Sequence, residues 1–236
     1  MNYTLSIDTS AGTSVSLHHN GRLVAEVEYL ENMKHAERIG ASIAEVLKTA
    51  GVDPRRISAV VVGRGPAPFT GLRIGIAAGM MFAEGSGAKL FGVVSLDAIA
   101  KAALGGAAGD AGASESPASQ VLSSQVSADR PLLVTADARR SEIYWALYSG
   151  LNEHGVPVRI DGPGVIKPPA LEELLAARGI DPIRTQLPVA ARQLTALFEA
   201  QLADGSASHD VTALYLREAD ATVPRDLREA GKKVSG

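Results

Sequence analysis

The sequence predicts an α/β protein made of two related halves, and three observations carry that prediction. A strand-like run closed by an aspartate, a polar turn and a second strand occur twice. The first set is Tyr3–Asp8, Thr9–Thr13 and Ser14–His19; the second is Pro131–Asp137, Ala138–Ser141 and Glu142–Tyr148. A strand-turn-helix unit lies between them, with Val60-Val61-Val62 as its β-branched strand. Finally, Gly105–Asp129 is almost entirely Gly, Ala, Ser and polar residues without a sustained period, as in a flexible linker or surface insertion. The expected organisation is therefore an N-terminal lobe over 1–104, a linker over 105–129, a C-terminal lobe over 130–218 and a polar tail over 219–236.

The opening reads as a β-meander. Asn20-Gly21 joins Ser14–His19 to Arg22–Leu30, because both turn residues tolerate positive φ. Lys34–Ala50 follows as a helix, with Ile39, Ile43, Val46 and Leu47 in one stripe and Gly51 as its stop. Ala36, Gly40 and Ala44 form a row of small residues on the same helix. Asp53 caps a short turn that starts with Pro54. Lys89–Val93 is a further strand, and Ser95 is expected to cap a helix ending near Leu104. In the second half, helices are expected after Pro168-Pro169 up to Gly179 and over Ala190–Leu202, then a short apolar run at Leu214–Leu216. The charged tail beyond Pro224 reads as disordered.

The segment from Gly63 to Gly79 is the most informative. Pro66 and Pro68 hold a turn, and Thr70 is expected to cap the helix that follows. Gly71, Gly75 and Gly79 then recur at every fourth position, and Ala83 extends the row. Each interior glycine costs roughly 1 kcal/mol of helix propensity relative to alanine. Such a row has a purpose if something approaches that helix closely. A phosphate-binding Walker loop is excluded, since Gly71 is followed by Leu72 and the prolines remove two N–H donors; a dinucleotide fingerprint fails because Gly63-Arg64-Gly65 is followed by Pro66, Ala67 and Pro68.

Composition narrows the function classes. The 236 residues hold 23 Lys and Arg against 26 Asp and Glu, a formal net charge of -3. That balance argues against bulk electrostatic binding of nucleic acid. With no cysteine, disulfides, thiolate zinc sites and a cysteine nucleophile are excluded. Strand-like sequence begins at once and nothing approaches a membrane-spanning length, so a cytoplasmic protein is expected.

Taken together, several segments resemble the bacterial TsaB (YeaZ) family. They are Ile7-Asp8-Thr9-Ser10, His35, Gly65-Pro66-Ala67-Pro68-Phe69-Thr70-Gly71-Leu72-Arg73-Ile74-Gly75, Ser95-Leu96-Asp97-Ala98, Asp137-Ala138-Arg139-Arg140-Ser141-Glu142-Ile143-Tyr144 and Leu214-Tyr215-Leu216-Arg217. They lie in family order and span nearly the whole chain outside the linker. The resemblance implies an actin/sugar-kinase/Hsp70-like (ASKHA) fold of two lobes, with mixed sheets flanked by helices. It also implies a non-catalytic role in making threonylcarbamoyladenosine beside the anticodon of tRNA. In that role the chain docks onto a TsaD-like transferase subunit, joined by a TsaE-like ATPase, and meets tRNA only through the complex. Ala67 departs from the glycine usual in the family. Catalytic relatives place two histidines four residues apart on the early helix as metal ligands, whereas here His35 is followed by Ile39, so no metal is expected.

The expected docking surface is carried by the two small-residue helices, through Ala36, Ile39, Gly40, Ile43 and Leu47 on the first and Arg73, Ile74, Ala77, Ala78 and Met81 on the second. Spacing alone leaves open that both rows pack internally; the resemblance favours the interface. Without its partner, the same face could form a homodimer. On this reading Ile43→Asp or Ala78→Glu abolishes association and leaves the fold intact. No cofactor is expected to bind tightly; ATP is used by the complex, and Asp8 and Thr9 are the candidates for a weak nucleotide contact, against the commoner role of a strand-ending aspartate as a turn-former. The alternative is an ATP-dependent phosphotransferase of the sugar-kinase type, with Asp8 and Asp137 near magnesium and phosphates, but no activating base accompanies them. A peptidase reading finds no Ser-His-Asp set.

Overall fold

The computed structural model describes residues 3–29, 35–105 and 125–217. The inner part of the expected linker, Lys34 and the tail beyond Arg217 lie outside the described residues. The first sheet begins with the meander β1 (Tyr3–Asp8), β2 (Thr13–His19) and β3 (Arg22–Tyr29). Asn20 and Gly21 turn the β2–β3 hairpin with φ of 49° and 80°, the left-handed values that this dipeptide accommodates. After helix α1 (His35–Ala50) and a 3-10 turn capped by Asp53, β4 (Ile57–Gly63) runs parallel to β1. Helix α2 (Phe69–Ser86) then crosses to β5 (Lys89–Val93), parallel to β4, giving the strand order β3-β2-β1-β4-β5.

Helix α3 (Ser95–Gly105) leads away from that sheet, and the second sheet repeats the plan. Strands β6 (Leu132–Arg139), β7 (Glu142–Leu151) and β8 (Pro157–Ile166) form an antiparallel meander. Helix α4 (Pro168–Ala177) then returns the chain to β9 (Ile183–Thr185), parallel to β6, for an order of β8-β7-β6-β9. The last helix, α5 (Ala191–Asp204), goes back to the first sheet. Strands β8 and β9 are absent from the sequence reading. The glycines and prolines of Pro157–Ile166 imitate a loop, yet an edge strand with an irregular register tolerates them.

Burial sorts these elements into layers. Leu5, Ile7, Val15, Leu17, Val60 and Val62 face α1 and α2 on the outside of the first sheet. The opposite face of that sheet contributes Ala59, Val61, Phe91 and Val93 to a central core shared with α3, α5, β6 and β7. Beyond the second sheet, α4 places Leu171 and Leu175 against Leu133, Trp145 and Leu147.

The inner face of β1 and β2 is polar, carrying Ser6, Asp8, Ser14, Ser16 and His18, all buried. Helix α5 covers it and satisfies much of it. Ser14 Oγ accepts the Ala191 N–H at 2.8 Å, Ser6 Oγ and Thr195 Oγ1 are 2.6 Å apart, and Thr195 Oγ1 is 3.1 Å from His18 Nδ1. Buried hydroxyls need such partners, since leaving one unmade costs more than making it gains.

Past α5 the chain lies along β5, an edge strand. The Gly92 N–H donates to Ser208 O at 3.0 Å, the Leu214 N–H donates to Arg64 O at 2.8 Å, and Arg64 pairs with Asp210. The hydroxyl and N–H of Thr212, helped by Arg64, hold the Asp210 carboxyl down to about 2. This strap covers an edge that would otherwise offer free backbone groups.

Two expected caps are corrected. Helix α2 starts before Thr70, with Pro68 at the cap position and no side-chain bond there; Thr70 is exposed in the first turn. Ser95 opens α3, but its hydroxyl donates to Asp8 Oδ2 at 3.0 Å. In both cases a tertiary partner or the preceding proline decided the terminus.

Candidate functional site

The glycine row of α2 faces inward. Gly71 O accepts the Thr9 hydroxyl at 2.8 Å. A Cβ on Gly75 would lie 2.2 Å from Thr9 Oγ1, and one on Gly79 would lie 2.2 Å from Val62 Cγ1. The close approach that justifies these glycines is therefore between α2 and its own sheet, which corrects the expectation that this row lines a docking surface. The row on α1 behaves oppositely. Ala36, Gly40 and Ala44 are exposed, and a Cβ on Gly40 would meet nothing within 4 Å.

The outward surface of the two adjacent helices differs from the expected set in a systematic way. Ile39, Ile43 and Leu47 retain only 7%, 8% and 8% exposure and belong to the core beneath α1. Ile43→Asp would therefore break the fold, contrary to the expectation that it spares it. Ile74 and Ala78 are half-buried against the same core. Arg73, Ala77 and Met81 point outward, Met81 with 77% exposure. Met80, half exposed, joins them although the sequence reading passed over it. Its signal was its position seven residues after Arg73, on the same helical face.

Where α2 begins, the strap reaches this face. The Tyr215 ring packs on Phe69 with centroids 4.8 Å apart. Arg73 lies with Cζ 3.7 Å from the Phe69 centroid and donates from Nε to the Tyr215 hydroxyl at 2.7 Å. The segments around Phe69 and Leu214-Tyr215 are distant in sequence and form one surface feature.

Between the sheets lies a cavity of about 280 Å³ lined by Ser10, Ala11, Pro66 and Ser95 on one side and Thr135, Asp137, Arg139 and Tyr144 on the other. Asp8 sits beneath its floor, 2% exposed. Its Oδ1 accepts the Ser10 N–H at 2.7 Å, and its Oδ2 accepts from Ser95 Oγ at 3.0 Å and Ser10 Oγ at 3.2 Å. Burial raises this carboxyl, those hydrogen bonds pull it partly back, and the balance leaves it at about 6. Gly63 makes room for it, since a Cβ there would sit 1.9 Å from Asp8 Oδ2. Thr9 is equally buried and committed to α2. The residues reaching the cavity are thus Ser10 and Ala11, not the expected pair Asp8 and Thr9.

Asp137 is exposed and accepts the Arg139 N–H of its own turn at 2.8 Å. In that turn Arg139, Arg140 and Ser141 all adopt positive φ, of 66°, 53° and 60°. Arg217 holds it in place, donating to Ala138 O at 3.2 Å and pairing with Glu142. Both aspartates of the phosphotransferase alternative thus serve their own turns and the floor beneath them.

Known proteins fit this geometry. A profile of the family described as TsaD, tRNA N6-adenosine threonylcarbamoyltransferase, matches residues 29–195. The tRNA threonylcarbamoyladenosine biosynthesis protein TsaB of Escherichia coli is 32% identical over 170 residues, covering 72% of this chain and 64% of that one. The chain belongs to the TsaB (YeaZ) group of this family. An uncharacterised protein of Mycobacterium leprae is 33% identical over 173 residues, covering 71% of this chain and 40% of its own length. The matched stretch thus spans less than two thirds of either curated relative. YeaZ from Pseudomonas aeruginosa superposes with a TM-score of 0.68 at 24% identity, covering 92% of this chain and all of that one. With matching strand orders in its two sheets, the fold is of the two-lobed actin/sugar-kinase/Hsp70 type. Among the described residues, no helix is long and apolar enough to cross a membrane.

Proposed function

We propose that this chain is a non-catalytic subunit of the machinery that makes threonylcarbamoyladenosine in tRNA, and that it docks onto a TsaD-type transferase subunit through the outer faces of α1 and α2. One observation carries the reading. Two helices packed against each other each present an exposed row of apolar or small residues, Ala77, Met80 and Met81 on α2 and Ala36, Gly40 and Ala44 on α1. Apolar side chains next to a shallow, small-residue helix suit a second protein better than water. The family assignment and the name of the Escherichia coli relative support the pathway.

On this reading a TsaE-type ATPase joins the pair, ATP is consumed by the complex, tRNA is met through the complex, and the chain works in the cytoplasm. The same face serves self-association when the partner is absent. The test is reconstitution of tRNA modification from purified subunits, with wild-type chain and with Met81→Asp. Modification that needs the wild-type chain and fails with the variant supports the reading. A transferase subunit that is fully competent alone overturns it.

A further inference from the structure

The outward stripe of α2 begins with a cation whose orientation is already fixed. Arg73 is exposed, yet it is clamped on two sides: the Phe69 ring lies 3.7 Å beneath its Cζ, and Nε is occupied by the Tyr215 hydroxyl at 2.7 Å. Among the described residues no carboxylate lies within ion-pair distance of it. An unconstrained surface arginine loses rotamer freedom on binding; this one has lost most of it in the folded chain. With Nε taken and the plane set, the two terminal nitrogens remain as a parallel pair of donors, the geometry that a carboxylate accepts in bidentate fashion.

We propose that Arg73 is the receptor for a carboxylate of the docked transferase-type subunit, and that Tyr215 is a positioning residue for it. The inference rests on the docking reading above and adds the partner's chemistry: an apolar helical surface that meets Ala77, Met80 and Met81, with an Asp or Glu one helical turn beyond it. The strap that delivers Tyr215 thereby links the last described segment of the chain to affinity at the face. A second copy of this chain is a competing occupant, because it carries exposed carboxylates at Glu37 and Glu84.

Titration calorimetry with the purified TsaD-type subunit of the same organism tests the proposal, alongside sedimentation of this chain alone. The variants are Arg73→Ala, Arg73→Lys, Tyr215→Phe and Ala77→Glu, each with circular dichroism to check its fold. Arg73→Ala is expected to weaken binding by about tenfold or more, and Arg73→Lys to recover little, because an ammonium cannot reproduce the paired donors. Tyr215→Phe keeps the ring packing and is expected to weaken binding by roughly threefold. Raising salt from about 50 to about 500 mM should weaken the wild type but hardly change Arg73→Ala.

If Ala77→Glu abolishes binding while Arg73→Ala stays within about twofold of wild type, the carboxylate receptor is overturned and the docking face stands. If Ala77→Glu changes nothing, the docking reading itself fails. Loss of self-association alone in Arg73→Ala assigns the carboxylate to a second copy and overturns the proposal.

Discussion

Gly75 and Thr9 touch so closely that a single added methyl at 75 would overlap the threonine hydroxyl, at 2.2 Å. Thr9 cannot retreat easily, because its hydroxyl is bonded to Gly71 O on the same helix. Helix α2 is therefore seated on β1 and β4 at a distance that only glycine allows. Gly75→Ala and Gly79→Ala are each expected to destabilise the chain by about 1–3 kcal/mol through overpacking, despite the better helix propensity of alanine. Gly40→Ala on α1, with open space around it, is expected to stabilise by roughly 0.5–1 kcal/mol. Urea denaturation of the three variants checks both signs.

A similar contrast separates core from docking face. Ile43→Asp buries an unpaired charge among Val46, Leu47 and the sheet, and is expected to unfold the chain. Met81→Asp places its charge in water, so the thermal midpoint should hold while association with the transferase subunit is lost. Circular dichroism and co-purification, run on both, distinguish the two outcomes.

Asp8 gives a pH signature. Its carboxyl titrates near 6 in the folded chain against an ordinary value of 3.8, so the folded state holds the proton more tightly than the unfolded one. Below pH 4 both states are protonated and nothing is lost. As pH rises through 4 to 6 the unfolded chain ionises first, and stability falls. Asp8→Asn keeps the acceptor for Ser10 and removes the charge. Relative to wild type it should gain on the order of 3 kcal/mol between pH 4 and pH 7, read from denaturation at each pH.

The strap depends on Gly92. A Cβ there would meet Asp210 O at 2.1 Å, so Gly92→Ala should lift residues 208–215 from β5. Limited proteolysis is expected to cut this segment faster in the variant, and affinity for the partner should fall with it as Tyr215 leaves Arg73.

Much of this was legible in the sequence because local chemistry and tertiary structure agreed. Asn20-Gly21 fixed a hairpin, Asp53-Pro54 a capped turn, and Val60-Val61-Val62 a buried strand. What stayed hidden depended on distant partners. The alternation in Ser14–His19 gives no sign that its polar side is covered by a helix nearly 180 residues away, as Ser14 with Ala191 is. The spacing of Gly71, Gly75 and Gly79 signalled close approach but not its direction, since a four-residue period is the same whether a helix packs inward or outward. The stripe Ile39, Ile43, Leu47 was read correctly as apolar, and its burial removes it from any surface. Arg73 was visible as a cation; its clamp was not, because Tyr215 lies 142 residues on.

Because α5 supplies the lid over Ser6, Ser14 and His18, the first lobe cannot be completed as it leaves the ribosome. Its hydroxyl-lined surface must wait, wetted, until synthesis has passed Asp204, the end of α5, in a chain of 236 residues. Expressing residues 1–104 by themselves should consequently yield an unfinished half, and supplying α5 as a separate peptide is the way to complete it.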